Sequence, residues 1–564
     1  MDARVNEVEL IKAQSRGLRG TLRESLGDEL TGALAPADAQ ICKFHGFYEQ
    51  DDRDHRQERA ERFLEPRYQM MLRARLPGGV CTPEQWLAID AVGQELGNGT
   101  IRLTTRQTFQ LHGVLKHQLK PLIQRINRVM IDSIGGCGDV NRNVLCNPNP
   151  VESALHMEVH GWARRISERL LPRTRAYHEI WLDEEPVAGG EPESEPLYGE
   201  TYLPRKFKTA VAVPPRNDVD VYTNDLGFIA IADGARLLGF NVLAGGGMGT
   251  THGDRSTYPR LADDLGFVPP ESVLAVAEAV VSTQRDHGSR ISRRHARLKY
   301  TIERMGLSVF KAEVERRAGL AFAPSRPVTF SDQGDRYGWV GGTDGRWHLT
   351  LFIENGRVAD RPGATLMTGL REIARVHQGD FRITPNQNLI VAGVPVEQRG
   401  QIEAIARAHR LLAEGRTPIR LAAIACVALP TCPQAMAESE RYFPDLLTKI
   451  EGLAADHGLA HVPMVMRMTG CPNGCARPFV AELGLVGKGP GRYNLMLGGD
   501  GKGLRLNRLY GENLGEPEIL AALDALFRRF AAERHDGEGL GDFSIRAGLV
   551  RPVLNPVEDF HDPL

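Results

Sequence analysis

Cysteine is scarce in this chain, with eight among 564 residues. A disulfide framework needs a much higher density, so the fold must rest on buried apolar surface. An excess of either charge is also missing: 69 Lys and Arg face 71 Asp and Glu, a formal net charge of −2. That balance offers no general attraction to nucleic acid or to an acidic membrane. Any positive site must therefore be a local concentration of Arg and Lys, offset by acid elsewhere. No apolar run approaches bilayer length, and Met1 to Leu10 alternate polar and apolar residues without a continuous apolar stretch. The expectation is a chain with neither secretory signal nor membrane span, placed in the cytoplasm. There, clustered cysteines point to metal or redox chemistry.

What is present is a long-range internal repeat. Ile101 to Val114 reads IRLTTRQTFQLHGV and Phe381 to Val394 reads FRITPNQNLIVAGV, with Arg, Thr, Gln, Gly and Val at shared offsets. A second echo follows each. Leu226-Gly-Phe-Ile-Ala-Ile and Gly239-Phe-Asn-Val-Leu answer to Leu483-Gly-Leu-Val-Gly and Arg492-Tyr-Asn-Leu-Met-Leu. Two matches in one order predict a duplicated two-domain unit with pseudo-twofold symmetry and a ligand cleft between the copies. Local signals are mixed. Thr82-Pro83-Glu84-Gln85 is a helix start with a capping box, followed by an apolar face of Trp86, Leu87, Ile89 and Val92. Thr100 to Val114 is β-rich. Trp347 to Ile353 reads as a strand into the Asn355-Gly356 turn, with a helix over Leu370 to Val376. The fold class is α+β. The acidic stretch Glu184 to Glu195 reads as a surface loop.

Four cysteines fall in two tight pairs, Cys426-x5-Cys432 and Cys471-x3-Cys475. Converging thiolates select zinc or an iron–sulfur cluster. Structural zinc prefers C-x2-C knuckles, whereas wider spacings suit a cuboidal cluster whose irons occupy separate corners. Pro430, Pro433 and Pro472 stiffen the loops, and Gly474 lets backbone N–H groups approach inorganic sulfide. Of the scattered cysteines, Cys42, Cys81 and Cys137 read as buried or idle thiols. Basic residues crowd a second region: Arg73, Arg75, Arg102, Arg106 and Arg142, then Lys206 and Lys208 in LPRKFKT. If 203 to 211 is a strand, both lysines project from one face and invite an anion between them. The bland alternative is a solvated basic face, and for His112 a satisfied core histidine.

With LRARLPGG, TTRQTFQLHG, NRNVLC, TYLPRKFKT, HLTLFIENGR, PTCPQAMAE, TGCPNGCARP and LVGKGPGRYNL, the chain resembles the siroheme nitrite/sulfite reductase family, on the side of its assimilatory sulfite reductase hemoprotein (beta) subunits. The match runs almost end to end. The resemblance implies a ferredoxin-like half-domain plus a larger α+β siroheme/[4Fe–4S] domain, each present twice. The boundaries expected are an N-terminal arm at 1–64, half-domains at 65–134 and 337–413, and larger domains at 135–336 and 414–564. It implies a [4Fe–4S] cluster on Cys426, Cys432, Cys471 and Cys475, with Cys475 also ligating siroheme iron. Arg102, Thr104, Arg106, Gln110, His112 and Asn473 would contact siroheme, and Arg73, Arg142, Lys206 and Lys208 would bind sulfite. The implied reaction is six-electron reduction of sulfite to sulfide.

No place for an electron donor is evident. The glycine run Ala244 to Gly249 lacks the G-x-G-x-x-G spacing and a downstream acid, and no flavin domain is appended. The resemblance implies that NADPH, FAD and FMN sit only on a separate flavoprotein (alpha) subunit, which the charged, helical arm is expected to dock. Whether Tyr48 or Tyr68 modifies the cavity is open. The rivals are a siroheme nitrite reductase, a ferredoxin-dependent sulfite reductase, and a colourless, non-catalytic zinc protein.

Overall fold

The helix Pro83–Glu95 begins as its sequence requires: Thr82 Oγ1 accepts from Gln85 N at 3.2 Å, and Gln85 Oε1 accepts from Thr82 N at 2.9 Å. Its apolar face buries Trp86, Ile89 and Val92. In this computed structural model, which describes residues 5–148, 153–173 and 195–562, Trp86 packs between two sheets. Its ring lies 5.6 Å from Phe109 and 5.1 Å from Phe381, one phenylalanine from each copy of the repeat.

The two sheets have the same plan. One runs Phe47–Asp51, Tyr68–Arg73, Phe109–Val114, Ile101–Leu103, Arg357–Val358; the other runs Gly338–Gly341, Trp347–Leu351, Leu389–Val394, Asp380–Ile383, Val80–Cys81. Their outermost strands are exchanged. Arg357 and Val358 of the second copy pair with Arg102 and Ile101, while Val80 and Cys81 of the first pair with Arg382 and Phe381. One hydrophobic core runs through both half-domains. The Asn-Gly turn leads into the first of these crossings: Asn355 and Gly356 both take positive φ, and Gly356 passes so close to Leu103 O that a Cβ would lie 2.3 Å from it.

Each half-domain leads into a mixed five-stranded sheet. Leu145–Cys146, Thr209–Ala212 and Leu226–Asp233 are parallel, and Arg236–Ala244 and Asp263–Val268 continue antiparallel. Ile424–Ala425, Met466–Thr469 and Leu483–Gly489 are likewise parallel, followed by antiparallel Arg492–Leu497 and Arg508–Leu514. The second pair of sequence echoes thus occupies the third and fourth strands of both sheets.

Two expectations need correction. The boundary at residue 64 cuts through the first sheet, because Phe47–Asp51 is its edge strand, paired with Tyr68–Arg73. The helical part of the arm packs on the rest of the chain. On the helix Glu7–Gln14, Lys12 is buried and donates to Leu203 O at 2.8 Å and to Glu9 Oε1 at 2.5 Å. Finally, 203 to 211 is not one strand. The strand is Thr209–Ala212, preceded by a single bridge from Phe207 to Asn141. Most of the acidic stretch expected as a loop lies outside the described residues.

Candidate active site

The cysteine pairs meet because their strands are neighbours. Ala425 pairs with Met468 in parallel, so Cys426 and Cys471 leave the same ends of adjacent strands. Gly470 must be glycine here: a Cβ would lie 2.5 Å from Ala428 Cβ and 2.6 Å from Ala437 O. The two loops are tied together by Met436 and Ala437 N donating to Gly470 O at 2.8 and 3.0 Å. Gly470 N points at Cys426 Sγ at 3.2 Å, and Asn473 Nδ2 at Cys471 Sγ at 3.6 Å. Burial, then the neighbouring Cys475, pushes the Cys432 thiol up to about 12 and raises Cys426 and Cys471 as well. Among the described residues no group of three or more His, Cys, Asp or Glu is arranged to hold a metal ion. A bound positive metal would displace the protons of these thiols.

The basic residues come from the opposite half. Arg73, Gln110 and Arg102 stand in register across three neighbouring strands, and Gln110 and His112 alternate onto one face of Phe109–Val114. With its amide oxygen toward Arg73, Gln110 accepts from Nε at 3.0 Å. Arg102 is fully buried, paired with Glu440 and donating to Ala425 O at 2.7 Å; Arg357 of the exchanged strand grips the same carboxylate. Arg106 reaches Asn224 Oδ1 at 2.6 Å and Thr209 O at 3.0 Å. Burial, then Arg477, brings it down to about 9. Arg142 is clasped by Gly138 O from Nε and Nη2, at 2.9 and 2.7 Å. Burial would lower its pKa, but Tyr48 and Cys137 outweigh that and raise it.

Every expected residue lines one cavity of about 430 Å³: the four cysteines, Arg73, Arg102, Thr104, Arg106, Gln110, His112, Arg142, Lys206, Lys208 and Asn473. Nine basic side chains but a single carboxylate, Asp139, face it. The crowding shows in the lysines. Burial, then Arg205, presses Lys206 down to about 7, and burial with Lys206 beside it holds Lys208 far below its ordinary value. His112 is both core and lining. Its Nδ1 meets Gln50 Oε1 at 3.3 Å, its buried Nε2 has no partner, and burial with Arg357 nearby keeps it neutral.

Sequence reasoning missed Lys43, Arg205, Arg293, Asp139 and Gln387, all in the wall. Gln387 was within reach, since it repeats Gln107. Both adopt positive φ, and both side-chain amides tie the half-domain turn to the first strand of the following sheet, at Cys146 O (2.8 Å) and Ala425 O (2.9 Å). Tyr48 lines the cavity and Tyr68 does not. All four scattered cysteines are buried. Among the described residues no helix is long and apolar enough to cross a membrane.

The site has what a large polyanionic redox group requires: four thiols on one side, a dense basic wall opposite, and a buried Arg106 Nε donor without a protein partner. With this duplicated fold, the chain belongs to the nitrite and sulfite reductase family. Residues 64–129 and 341–409 match its ferredoxin-like half domain, and 161–322 match its "Nitrite and sulphite reductase 4Fe-4S domain". The latter segment is the first copy, so the paired cysteines lie outside it. The chain is 68% identical to the sulfite reductase [NADPH] hemoprotein beta-component of Thiocapsa roseopersicina, covering 100% of both. It is 60% identical to that of Shewanella loihica, covering 99% of this chain and 100% of the relative. The solved structure of Mycobacterium tuberculosis NirA shares the fold, with a TM-score of 0.79 over 96% of each chain at 23% identity.

Proposed function

We propose that the chain is the hemoprotein component of an assimilatory, cytoplasmic sulfite reductase, reducing sulfite to sulfide with six electrons drawn from NADPH through a flavoprotein subunit. One observation carries this reading: two thiol pairs from one half and a basic wall from the other face a single cavity. Cys426, Cys432, Cys471 and Cys475 would hold a [4Fe–4S] cluster, and Cys475 would be shared with siroheme iron. Once bound, the coupled pair supplies electrons one at a time to the anion.

The chain's own side chains do the rest. Arg102, Arg106 and Gln110 offer donors that match the many carboxylates of siroheme, with Thr104, His112 and Asn473 completing the contact. Arg73 and Arg142 orient sulfite; both are fixed by their neighbours, so little freedom is lost on binding. Each cation ~4 Å from the anion offers about 4 kcal/mol of gross attraction at an effective dielectric near 20. Lys206, with a pKa of about 7, is poised to give a proton and regain it from water at working pH, and Lys208 supports it. The lining holds almost no acid to compete with the substrate. Steady-state kcat/KM for sulfite and nitrite, with flavoprotein and NADPH, tests the assignment. A preference for sulfite is expected; a large preference for nitrite, or activity only with ferredoxin, would overturn it.

The proposed docking role of the arm needs a narrower test than its removal. Tyr48 and Gln50 are part of the cavity wall, so deleting residues 1–60 would abolish activity with any donor. Charge reversals at exposed arm positions such as Glu61 and Arg62 should slow NADPH-driven turnover and spare turnover with a small artificial donor.

A further inference from the structure

The glycine run after the strand Arg236–Ala244 has a use that its lack of a dinucleotide signature left open. It lies against the cysteine loop of the other half. Thr250 donates to Pro472 O from N at 2.9 Å and from Oγ1 at 3.3 Å. A Cβ on Gly249 would stand 3.3 Å from Asn473 O, and one on Gly474 would stand 3.4 Å from Met248 Cβ and O. Backbone thus meets backbone across the pseudo-twofold, with a tight fit at Gly249 and a positive φ at Gly474 that favours glycine.

Lys299 holds this run in shape. It is fully buried, and its Nζ donates to Gly249 O at 2.9 Å, Gly247 O at 3.1 Å and Tyr258 O. The rings of Tyr258 and Tyr300 flank the charge, with centroids 5.5 and 4.9 Å away. Asp225, whose field reaches it, is taken by Arg297 through bonds of 3.0 and 2.7 Å. Burial works against the ammonium, but three carbonyl acceptors are satisfied together only by three N–H donors, which a neutral amine lacks. A buried cation without an acidic partner costs stability. Here that cost accompanies a loop pinned at three points.

We infer that Lys299 is a positioning residue for the cysteine loop: by pinning Gly247, Gly249 and Tyr258 it forms the surface on which Pro472–Gly474 rests, and so sets the direction from which Asn473 and Cys475 meet the cavity. The inference rests on the reading of Cys475 as a cofactor ligand. Two variants of the holoenzyme test it. Lys299→Met removes the ammonium at similar volume, and Gly249→Ala presses on Asn473 with Lys299 intact. Both should keep their far-UV circular dichroism, displace the visible bands and the midpoint potential of the tetrapyrrole iron, and lower kcat about 10- to 100-fold with KM for sulfite little changed. Bands and potential identical to wild type, in variants that lose only thermal stability, would show a purely structural lysine and overturn the inference. If Lys299→Met does not fold, Lys299→Gln, which keeps a donor but loses the charge, takes its place and is read in the same way. Wild-type protein without tetrapyrrole bands would instead bring down the functional reading itself, and that is read before any variant is made.

Discussion

Replacing Lys206 by Met should stabilise the cofactor-free chain while crippling the loaded enzyme. Burial, then Arg205, holds Lys206 at about 7 instead of its ordinary 10.5, with Cys475 pulling the other way. At 1.36 kcal/mol per pKa unit, keeping that lysine protonated inside the folded cavity costs at most about 5 kcal/mol. Partial screening by water in the open cavity brings the measurable part to roughly 2–3 kcal/mol. The sign follows from proton counts. The folded chain gives up the proton near pH 7, whereas the unfolded chain keeps it to about pH 10.5. Between those values the unfolded state binds more protons, so wild-type stability rises with pH, and the full cost is present below pH 7. Methionine carries no such penalty. The urea midpoint of the apo variant should therefore exceed wild type clearly at pH 6 and lose the advantage by about pH 10. Cofactor carboxylates and sulfite supply the missing counter-charge, so loaded protein should show a smaller difference. Loaded Lys206→Met should retain its visible spectrum and turn over at least about 100-fold more slowly. An apo variant no more stable than wild type at pH 6, or equally favoured at both pH values, would refute the electrostatic argument.

Other perturbations follow from named contacts. Arg102→Met leaves the buried Glu440 with Arg357 alone, so stability should fall by about 3 kcal/mol in a urea titration. Gln107→Leu removes bonds to Cys146 O at 2.8 Å and Ile383 O at 3.0 Å and from Cys146 N at 2.9 Å; the unpaired groups should cost roughly 2–4 kcal/mol by the same measurement. Arg73→Met and Arg142→Met should each raise KM for sulfite about 10- to 100-fold with the visible bands in place, because each removes a charge-assisted contact to the anion. Arg53→Ala unties the Cys432 loop, which it holds through Ala435 O at 2.6 Å and Cys432 O at 3.4 Å, so labile sulfide should be lost faster in air.

The membership of the candidate site was legible in the sequence because it is made of residue types with few other uses in such groupings. Paired cysteines and alternating Arg, Gln and His on short β segments declare themselves locally, and the structure gathers all of them. The repeat was legible for the same reason: a turn that needs a positive-φ glutamine keeps it in both copies. What stayed hidden depends on partners far away in the chain. Val80–Cys81 and Arg357–Val358 are two-residue strands whose pairing lies in the opposite half, and no local period records that. The edge strand Phe47–Asp51 reads as part of a charged arm until its neighbour Tyr68–Arg73 is known. Lys206 and Lys208 face one cavity without a regular strand, since a single bridge at Phe207 is enough to set the alternation. Lys43, Arg205 and Arg293 are ordinary surface residues by sequence; only the closure of two halves around one cavity puts them in its wall.

The central claim is that thiols from one half and cations from the other enclose a joined pair of iron cofactors. Its most direct test is a visible spectrum of the purified, cofactor-replete chain, with iron and acid-labile sulfide measured on the same sample. Tetrapyrrole bands with about five irons and four sulfides per chain are predicted. A colourless protein holding only zinc would contradict it.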